Sequence, residues 1–263
     1  MNFLILFAIA MLISALGFKK FVWFISLGYG FSISGIGIAL LILFSSNLTV
    51  LSVIFSALLI VYGVRLGGFL MIREIKSASY NATMKREIKD GSSMNFFLKI
   101  LCWLTCALLY VCEASPVWFR LQNAASDDVT GWVGLGIMVV GLILESVADF
   151  TKNKSKKKNP KRFCDAGVFK LVRCPNYLGE VLIWTGVFVS GCAIYASPLQ
   201  WVAAIGGYIS IVYVMFGGAR RLEIRQNKNY GEDPEYQAYV KKTPILLPFI
   251  PLYSVAKYKW LLG

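Results

Sequence analysis

Histidine is absent from all 263 residues. That removes the most frequent metal ligand and the most frequent general base of neutral-pH chemistry. Acids are scarce as well, 14 Asp and Glu against 27 Lys and Arg, for a formal net charge of +13. Cysteines stand at 102, 106, 112, 164, 174 and 192, and no two of them form a CxxC pair. Zinc ribbons and thioredoxin-like redox pairs are therefore excluded. Four of the cysteines lie in apolar runs, where the thiol behaves as a small hydrophobe. Cys164 and Cys174 fall in a polar stretch expected to face the cytoplasm and to stay reduced. There is no repeat of fixed period, no soluble domain and no low-complexity linker beyond one lysine run. Neither a metal nor a nucleic-acid partner is expected.

What the chain has in abundance is apolar sequence. Hydrophobic residues make up 57%, and the mean hydropathy is +0.63. Runs of span length mark an all-α, polytopic integral membrane protein. Seven spans are expected, at about 2–18, 21–44, 48–72, 96–118, 132–150, 177–196 and 199–216. The first has no basic n-region and reads as a span rather than a signal peptide. The second is rich in Gly and Ser, which let membrane helices approach closely. Pro116 is expected to break the fourth, and Asp90-Gly91-Ser92 reads as a turn. Pro244 and Pro248 argue against an eighth span. The chain is expected to form one membrane domain: two N-terminal spans over 1–46, core spans over 47–216 and a cytoplasmic C-terminal flap over 217–263. With the N-terminus outside and the C-terminus cytoplasmic, every strongly basic segment falls on the inner side: Lys19-Lys20, 73–99, 152–173 and the Arg220 segment. That is the positive-inside pattern.

Several polar groups interrupt the apolar background. Lys152, Lys154, Lys156, Lys157, Lys158, Lys161 and Arg162 form a basic loop. It suits anionic lipid headgroups, and equally the phosphates of a polyanionic cofactor. Glu145 and Asp149 are four apart on the fifth span and share a face. A buried carboxylate needs a partner. Arg173, Asn176, Tyr177 and Glu180 surround the start of the sixth span, where Pro175 is tolerated as a first helical residue. They read either as a capped helix start or as a site for amide and hydroxyl groups. Tyr62 and Arg65 are i,i+3 within the third span. Arg65 either snorkels or pairs with Glu145, or else Tyr62 is a proton donor tuned by its neighbour. Arg220, Arg221, Glu223, Arg225 and Tyr236 follow the seventh span, on a surface helix or on a flap over a bound cofactor.

The run Gly167-Val168-Phe169-Lys170-Leu171-Val172-Arg173-Cys174-Pro175-Asn176-Tyr177-Leu178-Gly179-Glu180 resembles the signature of the steroid 5α-reductase C-terminal-domain family. It is most like a bacterial, DUF1295-like branch described only as a domain of unknown function. Glu145 to Phe150, Tyr62 to Gly68 and the Tyr-rich segment ending Leu247-Pro248-Phe249 are similar to that family too, so the resemblance covers roughly residues 55–250. It implies a seven-span fold, NADPH bound from the cytoplasmic side and reduction of a carbon–carbon double bond conjugated to a carbonyl. By the resemblance, Asn176 and Glu180 contact the nicotinamide end. Asp149 and the basic residues, Lys152 and Arg162 among them, hold ribose and phosphates, and Tyr62 polarises the enone oxygen. Two features depart from the family. Position 174 is Cys where His is usual, and the second span carries no Glu to stand beside Tyr62.

The expected activity is that of an NADPH-dependent ene-reductase acting on a hydrophobic, steroid-like or other lipid substrate that enters from the bilayer. Catalysis is assigned to Tyr62 and Arg65. Cofactor binding is assigned to Glu145, Asp149, Lys152, Arg162, Arg173, Asn176, Tyr177, Glu180, Arg221, Glu223, Arg225 and Tyr236. Should Tyr62 prove dispensable, Tyr110, Glu113 and Glu145 come next. One alternative is an S-adenosylmethionine-dependent methyltransferase of the isoprenylcysteine carboxyl methyltransferase type, which shares an Arg-His-Pro-x-Tyr-x-Gly corner. Asn176, Glu180 and the missing His favour the reductase. The other alternative is a non-catalytic protein on the same scaffold.

Overall fold

A computed structural model describes residues 1–76 and 94–261. The turn expected at Asp90-Gly91-Ser92 lies outside the described residues. Among them the regular structure is entirely helical. Eight α-helices follow in order: α1 Asn2–Ser14, α2 Leu27–Leu43, α3 Val50–Lys76, α4 Phe96–Gln122, α5 Val129–Lys158, α6 Pro175–Gly191, α7 Pro198–Tyr230 and α8 Pro234–Lys242. Short 3-10 turns at 15–18, 21–23 and 167–170 link them. Helices α6, α7 and α8 each begin on a proline, whose missing donor is harmless in a first turn. Among the described residues, five segments are long and apolar enough to cross a membrane: Phe21–Leu43, Val50–Lys76, Phe96–Gln122, Val129–Lys158 and Pro198–Tyr230. The other two expected spans are shorter helices, 13 residues in α1 and 17 in α6.

Three boundaries differ from the sequence expectation. Helix α4 runs through Pro116 without ending. A proline there removes one donor and frees the Cys112 carbonyl. Gly207 packs on that carbonyl, so closely that a Cβ would lie 2.6 Å from its oxygen. Neighbouring helices tolerate prolines in just this way. The first part of the lysine run is not a loop: α5 stays helical to Lys158, and only Lys161 and Arg162 follow it in a turn. Lysine is a good helix former, and its charge is favourable at a helix C-terminus. Lys156 Nζ turns back onto the carbonyls of Pro160 at 3.1 Å and Arg162 at 2.6 Å. Likewise α7 continues past the apolar stretch to Tyr230, so residues 217–230 extend a span.

The chain divides into two compact units. The first comprises residues 1–132 and 187–207. There α2 lies against α1, α3 and α4. The Gly- and Ser-rich run does what its composition implies, since Gly30 abuts Gly63 and Gly67 of α3. Ser34 Oγ donates to the Ile60 carbonyl at 2.9 Å. Arg120 is fully buried and donates to Ser190 O and Ser126 O, both at 2.7 Å, and pairs with Asp128 at 2.7 Å. Partial burial would raise the Asp128 carboxyl. Hydrogen bonds from Thr130 and Gly131 and the Arg120 guanidinium outweigh it and hold Asp128 below the usual carboxylate range.

The second unit comprises residues 133–186 and 208–263. Its α5 and α6 meet at glycines. Gly141 faces Gly179, and Gly186 faces Gly134 and Met138. Residues 244–261 fold back over this unit. Arg173 N donates to Pro244 O at 2.9 Å, Cys174 N to Ile245 O at 3.0 Å and Ile245 N to Leu252 O at 2.8 Å. Val172, Cys174, Leu178, Ala219, Ile245, Leu246, Val255 and Leu261 form the core beneath.

The glycine contact is testable by adding one methyl. A Cβ on Gly179 would sit 2.9 Å from Gly141 O and 3.0 Å from Glu145 N, whereas one on Gly136 meets nothing within 4 Å. Gly179→Ala should destabilise the folded protein by about 1–3 kcal/mol through overpacking. Gly136→Ala should be neutral or stabilising, by up to about 1 kcal/mol of helix propensity. Thermal unfolding in detergent, followed by size-exclusion chromatography, reads the difference.

Candidate functional site

The polar residues of α5 and α6 come together in the second unit. Asn176, on the first turn of α6, donates from Nδ2 to Asp149 Oδ1 at 2.5 Å. One turn deeper, Glu145 and Glu180 are both buried. Glu180 Oε1 accepts a hydrogen bond from Trp184 Nε1 at 3.2 Å. The backbone of Gly179 presses on Glu145. The glycine contact that brings the helices together thus also holds the two carboxylates at adjacent turns. Glu145, Asp149, Asn176 and Glu180 form one patch, in which the two pairs that spacing along each helix implied meet. Each side chain is set by a helix rather than a loop, so the patch is rigid.

Cations surround it. Tyr177 lies against Gly218 of α7, where a Cβ would come within 3.3 Å of the phenol oxygen. Arg221 and Arg225, one and two turns further along α7, act electrostatically on that phenol. Both are exposed, as is Lys152 at the end of α5.

Other sequence candidates are occupied elsewhere. Arg173 and Glu223 are buried and face each other at 2.9 Å. Arg173 Nη2 also donates to the Tyr253 carbonyl. Glu223 Oε2 accepts from Val255 N at 2.8 Å and Ala256 N at 2.9 Å. This pair fastens residues 253–256 to the corner. Arg162 is more exposed and pairs with Asp165 at 2.9 Å and with Glu235. Tyr236 is buried in an aromatic cluster with Phe163 and Tyr230, and its hydroxyl donates to Asn227 Oδ1 at 2.7 Å. Tyr239 joins the cluster and donates to Phe169 O at 2.7 Å. The placement of Arg162, Arg173, Glu223 and Tyr236 is thus structural first.

Tyr62 lies in the first unit, fully buried. Its hydroxyl donates to that of Tyr29 at 3.0 Å. Tyr29 stacks obliquely on Tyr110 at 5.3 Å between centroids, and Tyr110 donates to Phe24 O. Glu113, one turn from Tyr110, is buried as well and acts electrostatically on it. Arg65 is partly buried on the same helix as Tyr62. Tyr29 was not singled out from sequence, because Gly28-Tyr29-Gly30 reads as helix packing. The departure noted above was the signal: a second-span group beside Tyr62 exists, but it is a phenol rather than a carboxylate. Among the described residues no group of three or more Cys, Asp or Glu is arranged to hold a metal ion.

The Arg173–Glu223 pair and its neighbour Cys174 give two expected outcomes. Glu223→Gln strands a buried guanidinium and should cost about 3–5 kcal/mol of stability. Arg173→Met with Glu223→Leu should recover most of it, by unfolding in detergent. Burial pushes the Cys174 thiol up to about 12. It stays protonated where exposed thiols ionise, so maleimide labelling at pH 9 should be slow until the protein unfolds. The stability that the buried neutral thiol contributes is complete below the ordinary thiol value and is lost as pH rises toward the folded value.

The comparisons with known proteins assign no activity. An uncharacterized protein of Schizosaccharomyces pombe (strain 972 / ATCC 24843) is 26% identical over 157 residues, 51% of this chain and 44% of that relative. The matched region therefore spans less than half of the relative's length. No solved structure matches the chain. The family described as a protein of unknown function, DUF1295, matches residues 6–243. With nearly its whole length matched, the chain belongs to the DUF1295 family.

Proposed function

We propose that the protein is an NADPH-dependent membrane reductase of a carbon–carbon double bond conjugated to a carbonyl, acting on a hydrophobic substrate. The observation that carries this reading is the patch on α5 and α6. Asp149 and Asn176 are hydrogen-bonded at 2.5 Å, with Glu145 and Glu180 buried one turn deeper. Ionisable groups inside apolar helices are expensive and usually functional. The resemblance to the steroid 5α-reductase family supports the same assignment.

The residues present fit a dinucleotide. The Asn176 amide and the Glu180 carboxylate offer the donor and acceptor that a carboxamide needs. Asp149 is suited to ribose hydroxyls. Lys152, Arg221 and Arg225 are exposed cations for phosphates. A nicotinamide, when bound, supplies a hydride to the β-carbon of the enone. The chain's own contribution on the substrate side is Tyr62, which donates a hydrogen bond to the carbonyl oxygen as negative charge grows there. Tyr29 is placed to donate in turn to the Tyr62 oxygen, because either hydroxyl hydrogen can rotate. That second hydrogen bond makes Tyr62 a stronger donor, the role first given to Arg65. The α-carbon takes its proton from water. Apolar helices admit the substrate from the bilayer.

Titration of purified protein with NADPH, NADH and S-adenosylmethionine tests the assignment. NADPH should bind more tightly than NADH, since a bidentate arginine suits the 2′-phosphate. Preference for S-adenosylmethionine would replace the reading with a methyltransferase. Asn176→Ala should weaken NADPH binding or hydride transfer by about 1–3 kcal/mol, if the amide makes a buried hydrogen bond to the cofactor. Tyr62→Phe keeps the ring and removes the hydroxyl. It should lower kcat by roughly 10²–10³ with little change in KM, as loss of one such donor does. Tyr29→Phe should show a smaller defect that is not additive with Tyr62→Phe. Wild-type turnover by Tyr62→Phe would remove the phenol from the mechanism.

A further inference from the structure

We propose that residues 252–261 form a membrane-interface segment. In it Trp260 lies at the boundary of headgroups and acyl chains, and the nearby lysines engage anionic headgroups. The inference does not depend on the reductase reading.

The segment descends along α7. Val255 and Ala256 are tied to Glu223 by their amides. Arg220 Nε donates to Ala256 O at 3.2 Å. Further on, Tyr213 donates its hydroxyl to Trp260 O at 2.6 Å, and the two rings stack at 6.2 Å. Tyr213 precedes Arg220 by about two turns, roughly 10 Å along the axis. It therefore lies among the apolar residues of the span, below the arginines that mark its polar end. Leu252 and Tyr258 pack in the cluster that includes Leu144 and Leu182 of α5 and α6 and Phe216 of α7. The segment thus adheres to the apolar flanks of the helices.

Its outward face matches a bilayer rather than water. Trp260 is 65% exposed, and near its level on α7 Val214 and Ile209 are 50% and 60% exposed. Apolar side chains exposed along a membrane-spanning helix meet lipid. Tyr258 and Trp260, each with a polar edge on an apolar ring, are the residue types that populate the two interfaces. Charge points the same way. From Tyr236 to Gly263 the chain carries Lys241, Lys242, Lys257 and Lys259 and no Asp or Glu. Lys257 and Lys259 are exposed. Their stems can lie along apolar surface while the ammonium groups reach phosphates.

The test uses the whole protein in nanodiscs containing anionic lipid. Trp260→Phe keeps an aromatic ring, and the difference in tryptophan emission between wild type and variant isolates residue 260. That component should be strongly quenched by lipids brominated near the carbonyl end of the acyl chain and little affected by aqueous iodide. Quenching by iodide with no effect of the brominated lipid overturns the proposal. So does protection from both, which a second protein copy over the segment would produce. A second measurement needs no variant. Trypsin should cut after Lys257 and Lys259 at least ten times more slowly than after Lys158, an exposed lysine outside the segment. Equal rates overturn the proposal.

Discussion

A buried ion pair governs the second unit. Arg173 and Glu223 meet at 2.9 Å with almost no exposure. Isolated, either charge would be intolerable in that position, because several kcal/mol of desolvation would go unanswered. Together they answer each other, and backbone groups take up part of what remains. The carbonyl of Tyr253 accepts from Arg173 Nη2 and the amides of Val255 and Ala256 donate to Glu223, while Arg173 Nε and Nη1 stay without a hydrogen-bond partner among the described residues. The pair therefore dictates where residues 253–256 run and so closes the chain over the corner at 173–175. The candidate patch on α5 and α6 starts at that corner. Its geometry depends on an interaction that need not touch a ligand.

Close helix approach is the second constraint, and glycine supplies it in both units. Where Gly141 meets Gly179, backbone faces backbone. The side chains beside the contact, Glu145 and Glu180, are consequently buried. In the first unit, Gly30 against Gly63 and Gly67 does the same for Tyr29 and Tyr62. Apolar helices in lipid gain little from hydrophobic association and rely on packing of this kind. Each unit thus carries the same device: glycines draw two helices together, and polar side chains gather beside the contact.

Element identity was largely legible. Apolar runs longer than a span produce long helices whatever their neighbours do, and the proline at 175 opens a helix because its ring suits a first turn. The resemblance carried by Gly167 to Glu180 located the corner and its helix. Boundaries were less legible. Pro116 looked like a break, but whether a freed carbonyl ends a helix depends on what packs over it, here Gly207. Lys152 to Lys158 looked like a loop because charge density resembles solvent exposure, yet lysine is a good helix former and α5 carries it on.

The grouping of Glu145 with Asp149 and of Asn176 with Glu180 follows from helical spacing, and so was set by sequence alone. Joining those two pairs needed tertiary structure, since nothing in one helix states which turn of another it will face. The same holds for residues that seemed equivalent on paper. Arg173, Arg221 and Arg225 are all arginines near one polar boundary, yet the fold buries the first against Glu223 and leaves the other two exposed beside Tyr177. Tyr29 shows the limit most plainly. Its local sequence describes a packing residue, and only the crossing of α2 and α3 sets its hydroxyl 3.0 Å from that of Tyr62. Spacing along one helix is a property of the chain. Partner choice is a property of how two helices cross, and that is decided by every contact along both at once.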